Sequence, residues 1–329
     1  MSSRHLEMTV HEQSWPLDNP FRTARGPSTE TRVVVVTISD GRHVGRGEGV
    51  PIRRYGQDVA SSAAELNKLS LTGATTHAEI QTLLPANAAR NALDCALWDL
   101  EAKVAGERAW ELANIEIADK VQTAFTISLD TPEKMAAVAG ANAKAPILKL
   151  KLGGDKFDLA RVEAVRSEAP AARVLIDANE SWSASHYQQI VSPLAALGVA
   201  LIEQPFPADA DAILETLDHP VPVCADESCH TTADLPRLVR RYDAINVKLD
   251  KTGGLTEALL LTERARQAGF KLLFGCMVCT SLGIAPARIL AQAGDFVDLD
   301  GPLLLAGDRH HGLSYANGTI GLPSRELWG

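Results

Sequence analysis

The chain has 329 residues, 46% hydrophobic and 22% charged, with 32 Lys and Arg against 41 Asp and Glu and a formal net charge of −9. This is an ordinary globular composition with no basic footprint, which argues against a nucleic-acid partner. No apolar run is long enough to span a bilayer, and the polar opening MSSRHLEMTVHEQSW lacks the apolar centre of a signal peptide, so a cytoplasmic protein without a membrane partner is expected.

The length suits one large α/β domain plus a smaller one. Five cysteines, an odd number, fit a reducing compartment better than a disulfide framework. In chain order, TRVVVVTIS (31–39) reads as a strand and GRHVGRGEGVP as a turn leading into a second short strand. FRTARGPST and PIRRYGQD read as loops rich in Arg, Gly and Pro. PANAARNALDCALWDLEAKVAG (85–106) carries apolar residues at helical spacing. Strands followed by a helix predict a separate α+β unit over residues 1–118.

From about residue 121 the pattern becomes a strict alternation. VQTAFTIS, PILKLKLG, RVLIDAN, VALIEQP, PVCADES, DAINVKL, KLLFGCM and FVDLD read as strands with helical stretches between them. DTPEKMAAVAGANAK opens with a capping residue and an early proline, and GGLTEALLLTERARQAG is amphipathic and stops at glycine. Eight such units predict a parallel TIM-type α/β barrel over residues 119–305. A doubly wound open sheet is the structural alternative, although no Gly-rich dinucleotide fingerprint follows any strand. Residues 306–329 are expected to pack back on the first domain.

One strand poses a question. In ILKLKLGG (147–154) the leucines share one side and Ile147, Lys149 and Lys151 the other. Two ammonium groups on a buried wall repel each other and lose hydration. They belong either to a solvated strand face or to a site that needs positive charge. The other strands end in the same way, with Asp177 and Asn179, Glu203, Asp226, Lys248, and Asp298 with Asp300. The steps from Lys151 to Asp177, Glu203, Asp226 and Lys248 each span about one β/α unit. Any one of these residues alone reads as a helix cap or turn. The run of them, on ends that converge at one barrel face, reads as an active site.

Three carboxylates on adjacent strands repel one another unless a cation joins them, and an all-oxygen set selects a hard ion, Mg2+ with Mn2+ as the alternative. Lys151 precedes the trio by one strand and Lys248 follows it by one. Lysines so placed can take and return a proton on opposite faces of a substrate whose carboxylate meets the ion. The C-x-x-C of GCMVCT (Cys276, Cys279) lacks a second ligand pair and a thioredoxin-like setting, and reads as structural or site-lining thiols.

Together KLKLGG, DANESW, EQP, CADES and NVKLDKTGG resemble the muconate-lactonizing subgroup of the enolase superfamily. FRTARG, ARNALDCALWDL, CADESCHT, KLDKTGGLTEAL and DLDGP resemble its dipeptide epimerases. The resemblance spans nearly the whole chain and implies a (β/α)7β barrel with an N-terminal capping domain. It implies Asp177, Glu203 and Asp226 as Mg2+ ligands and Lys151 and Lys248 as the acid/base pair. It further implies that Lys149 neutralises the substrate carboxylate, that Thr126 and Asn179 face the substrate or support the ligands, and that Asp298 and Asp300 grip a dipeptide's ammonium. Arg25 would meet a glutamate side-chain carboxylate, with Arg22, Arg53 and Arg54 as competitors. The implied activity is epimerisation of L-Ala-D/L-Glu dipeptides at the second α-carbon, in murein peptide recycling. A cycloisomerase or o-succinylbenzoate-synthase-like enzyme is the alternative within the fold, and a non-catalytic metal-dependent binder of small acids the alternative outside catalysis. Many subgroup members carry an acidic residue near the position of Cys279, to which no catalytic role is assigned. Homo-oligomerisation is left open.

Overall fold

The computed structural model describes residues 6–329. Three antiparallel strands open the chain: β1 (Glu7–Thr23), β2 (Gly26–Ser39) and β3 (Val44–Gly49), in that order across the sheet. The run of valines in β2 is buried on both faces. Val34, Val36 and Ile38 join a core under the capping helices, while Val33 and Val35 join the large core that continues into the barrel.

FRTARGPST corrects the loop expectation. Phe21, Arg22 and Thr23 pair with Ser28, Pro27 and Gly26, so only Ala24 and Arg25 form the turn at the tip of a long hairpin. Two prolines and a register shift between Pro16 and Phe21 hide the period-two pattern in β1, and the ladder to β2 supplies what local propensity does not.

The glycines of VGRGEG alternate for a packing reason. A Cβ on Gly45, Gly47 or Gly49 would stand 2.2, 2.1 or 2.1 Å from the carbonyl oxygens of Ala96, Ala92 and Ala88. Those three alanines lie four apart on the helix Ala88–Ala105, so strand and helix backbones touch along a stripe of absent side chains. Asn87 caps that helix by accepting from the Arg90 N–H at 2.9 Å, and Gly106 ends it in the left-handed conformation.

A two-residue strand β4 (Val121–Gln122) leads into the barrel: β5 (Ala124–Ile127), β6 (Ile147–Lys151), β7 (Arg173–Asp177), β8 (Val199–Glu203), β9 (Val223–Ala225), β10 (Ala244–Val247), β11 (Lys271–Gly275) and β12 (Phe296–Asp298). They pair in parallel in sequence order as one eight-stranded sheet. The segment read as one strand over 121–128 is therefore two. β4 pairs instead with β14 (Thr319–Ile320), which pairs with β13 (Tyr315–Ala316). Side chains close the seam between β5 and β12: the Thr126 N–H donates to Asp300 Oδ2 at 2.6 Å, and the Leu299 N–H to Thr123 Oγ1 at 2.9 Å.

Ala124, Ile147, Leu175, Leu201, Cys224, Ala244, Leu273 and Phe296 form a separate buried cluster with one residue from each barrel strand. This is the apolar floor of the barrel interior. Two residues further along, on the same side of each strand, stand Thr126, Lys149, Asp177, Glu203, Asp226, Asn246, Gly275 and Asp298. The strand period thus stacks a polar layer directly on the floor.

The C-terminal segment returns over the capping helix. The Trp328 indole donates to the Cys95 carbonyl at 3.0 Å, and the Gly329 N–H donates to Asp99 at 2.6 Å. Among the described residues no helix is long and apolar enough to cross a membrane.

Candidate active site

The polar layer and the residues one step above it are almost wholly buried, Lys149 at 1% exposure and Lys151 at 8%. The lysines of β6 therefore answer the question their strand poses: they point inward. Lys151 Nζ lies 2.5 Å from Asp177 Oδ2. Lys149 Nζ lies 2.6 Å from Asp298, 2.7 Å from Glu203 and 3.5 Å from Asp177. Lys248 Nζ, just past β10, lies 2.7 Å from Asp226 and 3.8 Å from Glu203. β6 and β10 are four positions apart in a ring of eight, so Lys151 and Lys248 enter from opposite sides.

Local structure aims these groups. Asn179 adopts a left-handed backbone (φ 46°), a conformation Asn tolerates better than most residues. Its N–H thereby folds back onto Asp177 Oδ1 at 2.9 Å. Gln204 is also left-handed, and its carboxamide accepts from the Asp226 N–H at 2.8 Å and the Ser228 N–H at 3.2 Å, shaping the turn that presents Asp226. Asn246 donates to Glu203 Oε1 at 2.8 Å. Gly275 makes room for it, since a Cβ there would meet the Asn246 carboxamide at 2.6 Å.

The electrostatics follow from burial among opposite charges. Burial disfavours the Lys149 ammonium, but Asp298, Glu203 and Asp177 outweigh it and hold its pKa well above the usual lysine range. Burial likewise opposes ionised Asp177, and Lys151, Lys149 and Lys248 overcome it, bringing that pKa to about 2. Lys248 and Lys251 hold Asp226 well below the ordinary carboxylate range against the same burial cost. Burial and the charge of Asp177 push Glu203 up. Glu227 and Asp300 are each pushed up to about 7, chiefly by burial and then by Asp226 and Asp298 respectively.

The donor set of Asp177, Glu203 and Asp226 is all oxygen, as a hard cation requires. Glu203 Oε2 and Asp226 Oδ1 receive no directed hydrogen bond, although Lys149 and Lys251 each come within 2.7 Å. As placed, the acids do not converge on a point: among the described residues no three His, Cys, Asp or Glu side chains form a ready-made cage. Ammonium groups lie against them instead, which is how buried carboxylates are balanced by protein charge alone.

Above the layer opens a cavity of about 600 Å3 between the barrel mouth and the capping hairpin, lined by Phe21, Arg25, Tyr55, Lys151, Lys248 and Asp300 among others. Every residue expected at the site except Asp177 and Glu203, which lie beneath it, lines this cavity. Thr126 is tied to the seam acids, its N–H to Asp300 and its hydroxyl to Asp298 at 3.3 Å. Asp298 is also paired with Lys149. Arg25 reaches the site from the hairpin tip but is engaged by Glu227 and, at 3.0 Å, by Glu180. Of its competitors, Arg54 grips Glu180 with two bonds of 2.8 Å and Arg22 pairs with Asp130 at 3.2 Å.

Sequence reasoning missed Glu180, Glu227, Gln204, Asn246 and Lys251. All but Asn246 follow within three residues of a residue that was singled out, and Asn246 precedes Lys248 by two; that neighbourhood was the available signal. Cys276 lines the cavity and Cys279 is buried; both are free thiols.

A sequence profile described as Enolase C-terminal domain-like matches residues 133–325, and one described as Mandelate racemase / muconate lactonizing enzyme, N-terminal domain, matches residues 5–113. An L-Ala-D/L-Glu epimerase of Escherichia coli is 46% identical over 95% of this chain and 98% of its own length. An N-acetyl-D-glutamate racemase of a Pseudoalteromonas species is 43% identical over 90% of this chain and 95% of its own. Among solved structures, an Agrobacterium tumefaciens enolase family member with homology to dipeptide epimerases, with sodium and L-Ala-L-Glu bound, superposes with a TM-score of 0.95 at 46% identity over 99% of both chains. A Methylococcus capsulatus dipeptide epimerase with Mg and L-Arg-D-Lys gives 0.89 at 29% identity over 98% of both.

Proposed function

Since the chain belongs to the mandelate racemase/muconate lactonizing enzyme family of the enolase superfamily, we propose that it is an isomerase that epimerises L-Ala-D/L-Glu dipeptides at the α-carbon of the second residue. One observation carries the reading: Lys151 and Lys248 face each other across the barrel mouth with three carboxylates between them. A divalent ion, Mg2+ or Mn2+, held by Asp177, Glu203 and Asp226, would supply the positive charge that stabilises the substrate carboxylate as it gains electron density.

The protein's own groups do the rest. One lysine removes the α-proton from one face and the other returns a proton to the opposite face, which inverts the centre. Whichever lysine acts as base must be neutral; burial disfavours the Lys248 ammonium, but Asp226 and Glu203 outweigh it and raise its pKa, so Lys248 serves as base only when those ion pairs loosen. Lys149, fixed by three carboxylates, keeps positive charge beneath the substrate carboxylate. Asp298 and Asp300 at the seam offer an anionic pocket for the substrate ammonium. That pocket speaks against a cycloisomerase, whose substrate has no ammonium to place there. Arg25 would exchange Glu227 or Glu180 for the glutamate side-chain carboxylate. Murein-derived dipeptides fit this pattern of charges. Incubating L-Ala-L-Glu with the protein and Mg2+ in deuterated water, with proton NMR of the glutamyl α-position, tests the reading. Loss of the α-signal with appearance of the L,D epimer supports it; an unexchanged α-proton removes it.

A further inference from the structure

Each carboxylate of the trio is held from outside by one oxygen and faces the inner lysines with the other. The Asn179 N–H lies 2.9 Å from Asp177 Oδ1, Asn246 Nδ2 lies 2.8 Å from Glu203 Oε1, and Lys251 Nζ lies 2.7 Å from Asp226 Oδ1. The inward oxygens are Asp177 Oδ2 at 2.5 Å from Lys151, Glu203 Oε2 at 2.7 Å from Lys149, and Asp226 Oδ2 at 2.7 Å from Lys248. The same division occurs three times with three unrelated donors.

Lys251 is the costliest of these donors. Its side chain is fully buried and does not line the cavity. The helical turn Leu249–Thr252 carries it back beneath the strand ends, where its ammonium also donates to the main-chain oxygens of Asp226 at 2.5 Å and Asn246 at 2.8 Å. It thus makes two main-chain hydrogen bonds, at the end of β9 and on β10, and an ion-pair contact with the Asp226 carboxylate. A buried ammonium is expensive to desolvate, and removing it alone would leave two main-chain carbonyls without their donor and Asp226 with Lys248 as its remaining cationic contact. The geometry buys orientation: Asp226 cannot turn both oxygens inward while Oδ1 is held.

We propose that Lys251 is a positioning residue that restricts Asp226 to one inward oxygen, and that with Asn246 and the Asn179 N–H it limits the trio to three inward oxygens. This rests on the metal-dependent reading above. Three protein oxygens leave about three of the six positions of a magnesium ion for substrate and water.

The test is magnesium titration by calorimetry on Lys251→Met, with Mn2+ electron paramagnetic resonance as a report on the ligand shell. The variant removes charge and donors at nearly constant volume. The expected result is about tenfold or more weaker Mg2+ binding, an altered Mn2+ spectrum, and a protein that still melts cooperatively. Affinity within twofold of wild type or tighter, with an unchanged spectrum, overturns the proposal. If Lys251→Met does not fold, Lys251→Gln, which keeps a shorter donor, is measured in the same way and decides. Failure of the wild-type protein itself to bind Mg2+ would instead overturn the function proposed above, so the two failures are distinct.

Discussion

Lys151 and Lys248 stand four strands apart in the eight-stranded ring, and each ammonium rests on a different carboxylate, Asp177 at 2.5 Å and Asp226 at 2.7 Å. The two ammonium groups thus reach the cavity from opposite sides of the barrel mouth. Opposed bases predict that Lys151→Ala and Lys248→Ala each reduce epimerisation by about 10²–10⁴-fold, the range for loss of a general acid/base group. Each variant should still exchange the α-proton of one epimer and not the other, read by NMR in deuterated water. If both variants lose exchange with the same epimer only, the bases are not opposed.

Asp300 faces the cavity across the barrel seam, bonded to the Thr126 N–H. Asn at this position keeps an acceptor for that N–H and removes the charge that the carboxyl carries above its raised pKa of about 7, so the comparison is made at pH 8 or above. Asp300→Asn should raise KM for L-Ala-L-Glu about tenfold, the loss expected for one charge-assisted contact, and should change little for N-acetyl-L-glutamate, which has no ammonium. Equal losses on both compounds in steady-state assays would show that the acid does not read the ammonium.

Removal of divalent metal by EDTA should abolish exchange, and readdition of Mg2+ should restore it. The melting temperature should also rise with Mg2+, because an ion that binds only the folded state stabilises it by about 2.7 kcal/mol at a hundredfold excess over Kd. A melting curve that does not respond to Mg2+ in scanning calorimetry would contradict a site at Asp177, Glu203 and Asp226.

Far from the cavity, His77 sits 2.8 Å from Asp94 and 3.1 Å from Glu101. Burial opposes its charge, but the two acids prevail and raise its pKa from 6.5 to about 9. A raised pKa contributes stability that is fully present below the unfolded value near 6.5 and is lost as pH climbs through 9. His77→Gln should therefore destabilise by up to about 3 kcal/mol at pH 6, and the gap to wild type should shrink between pH 6.5 and 9 in urea titrations. A gap that grows with pH would show the sign to be wrong.

Gly47 touches the capping helix through its missing side chain, with the Ala92 carbonyl 2.1 Å from where a Cβ would stand. The atoms it would meet, on Ala92 and Ala96, are all backbone and cannot move independently. Gly47→Ala should cost about 3 kcal/mol, the upper end for overpacking. Gly307→Ala, where a Cβ meets nothing within 4 Å, should be close to neutral. Calorimetric melts of both variants check the contrast.

The barrel and its charged mouth were legible in the sequence because two short-range periods produce them. Alternation of strand and helix sets the number of units, and the two-residue period of a strand puts Lys149 and Lys151 on the side of Ile147 and Asp177 on that of Leu175. Residues at those positions could be named without knowing what they touch. Tertiary structure decided the partners. Nothing within GCMVCT or INVKLD says that Gly275 clears space for Asn246, and nothing in NVKLDKTGG says that Lys251 turns back onto Asp226. The hairpin that delivers Arg25 was hidden because prolines and a register shift break the pattern of β1, and only the ladder to β2 restores it. Local periodicity determines which face a residue takes; the pairing of buried charges depends on distances between segments tens to hundreds of residues apart, and those exist only once the chain has closed on itself.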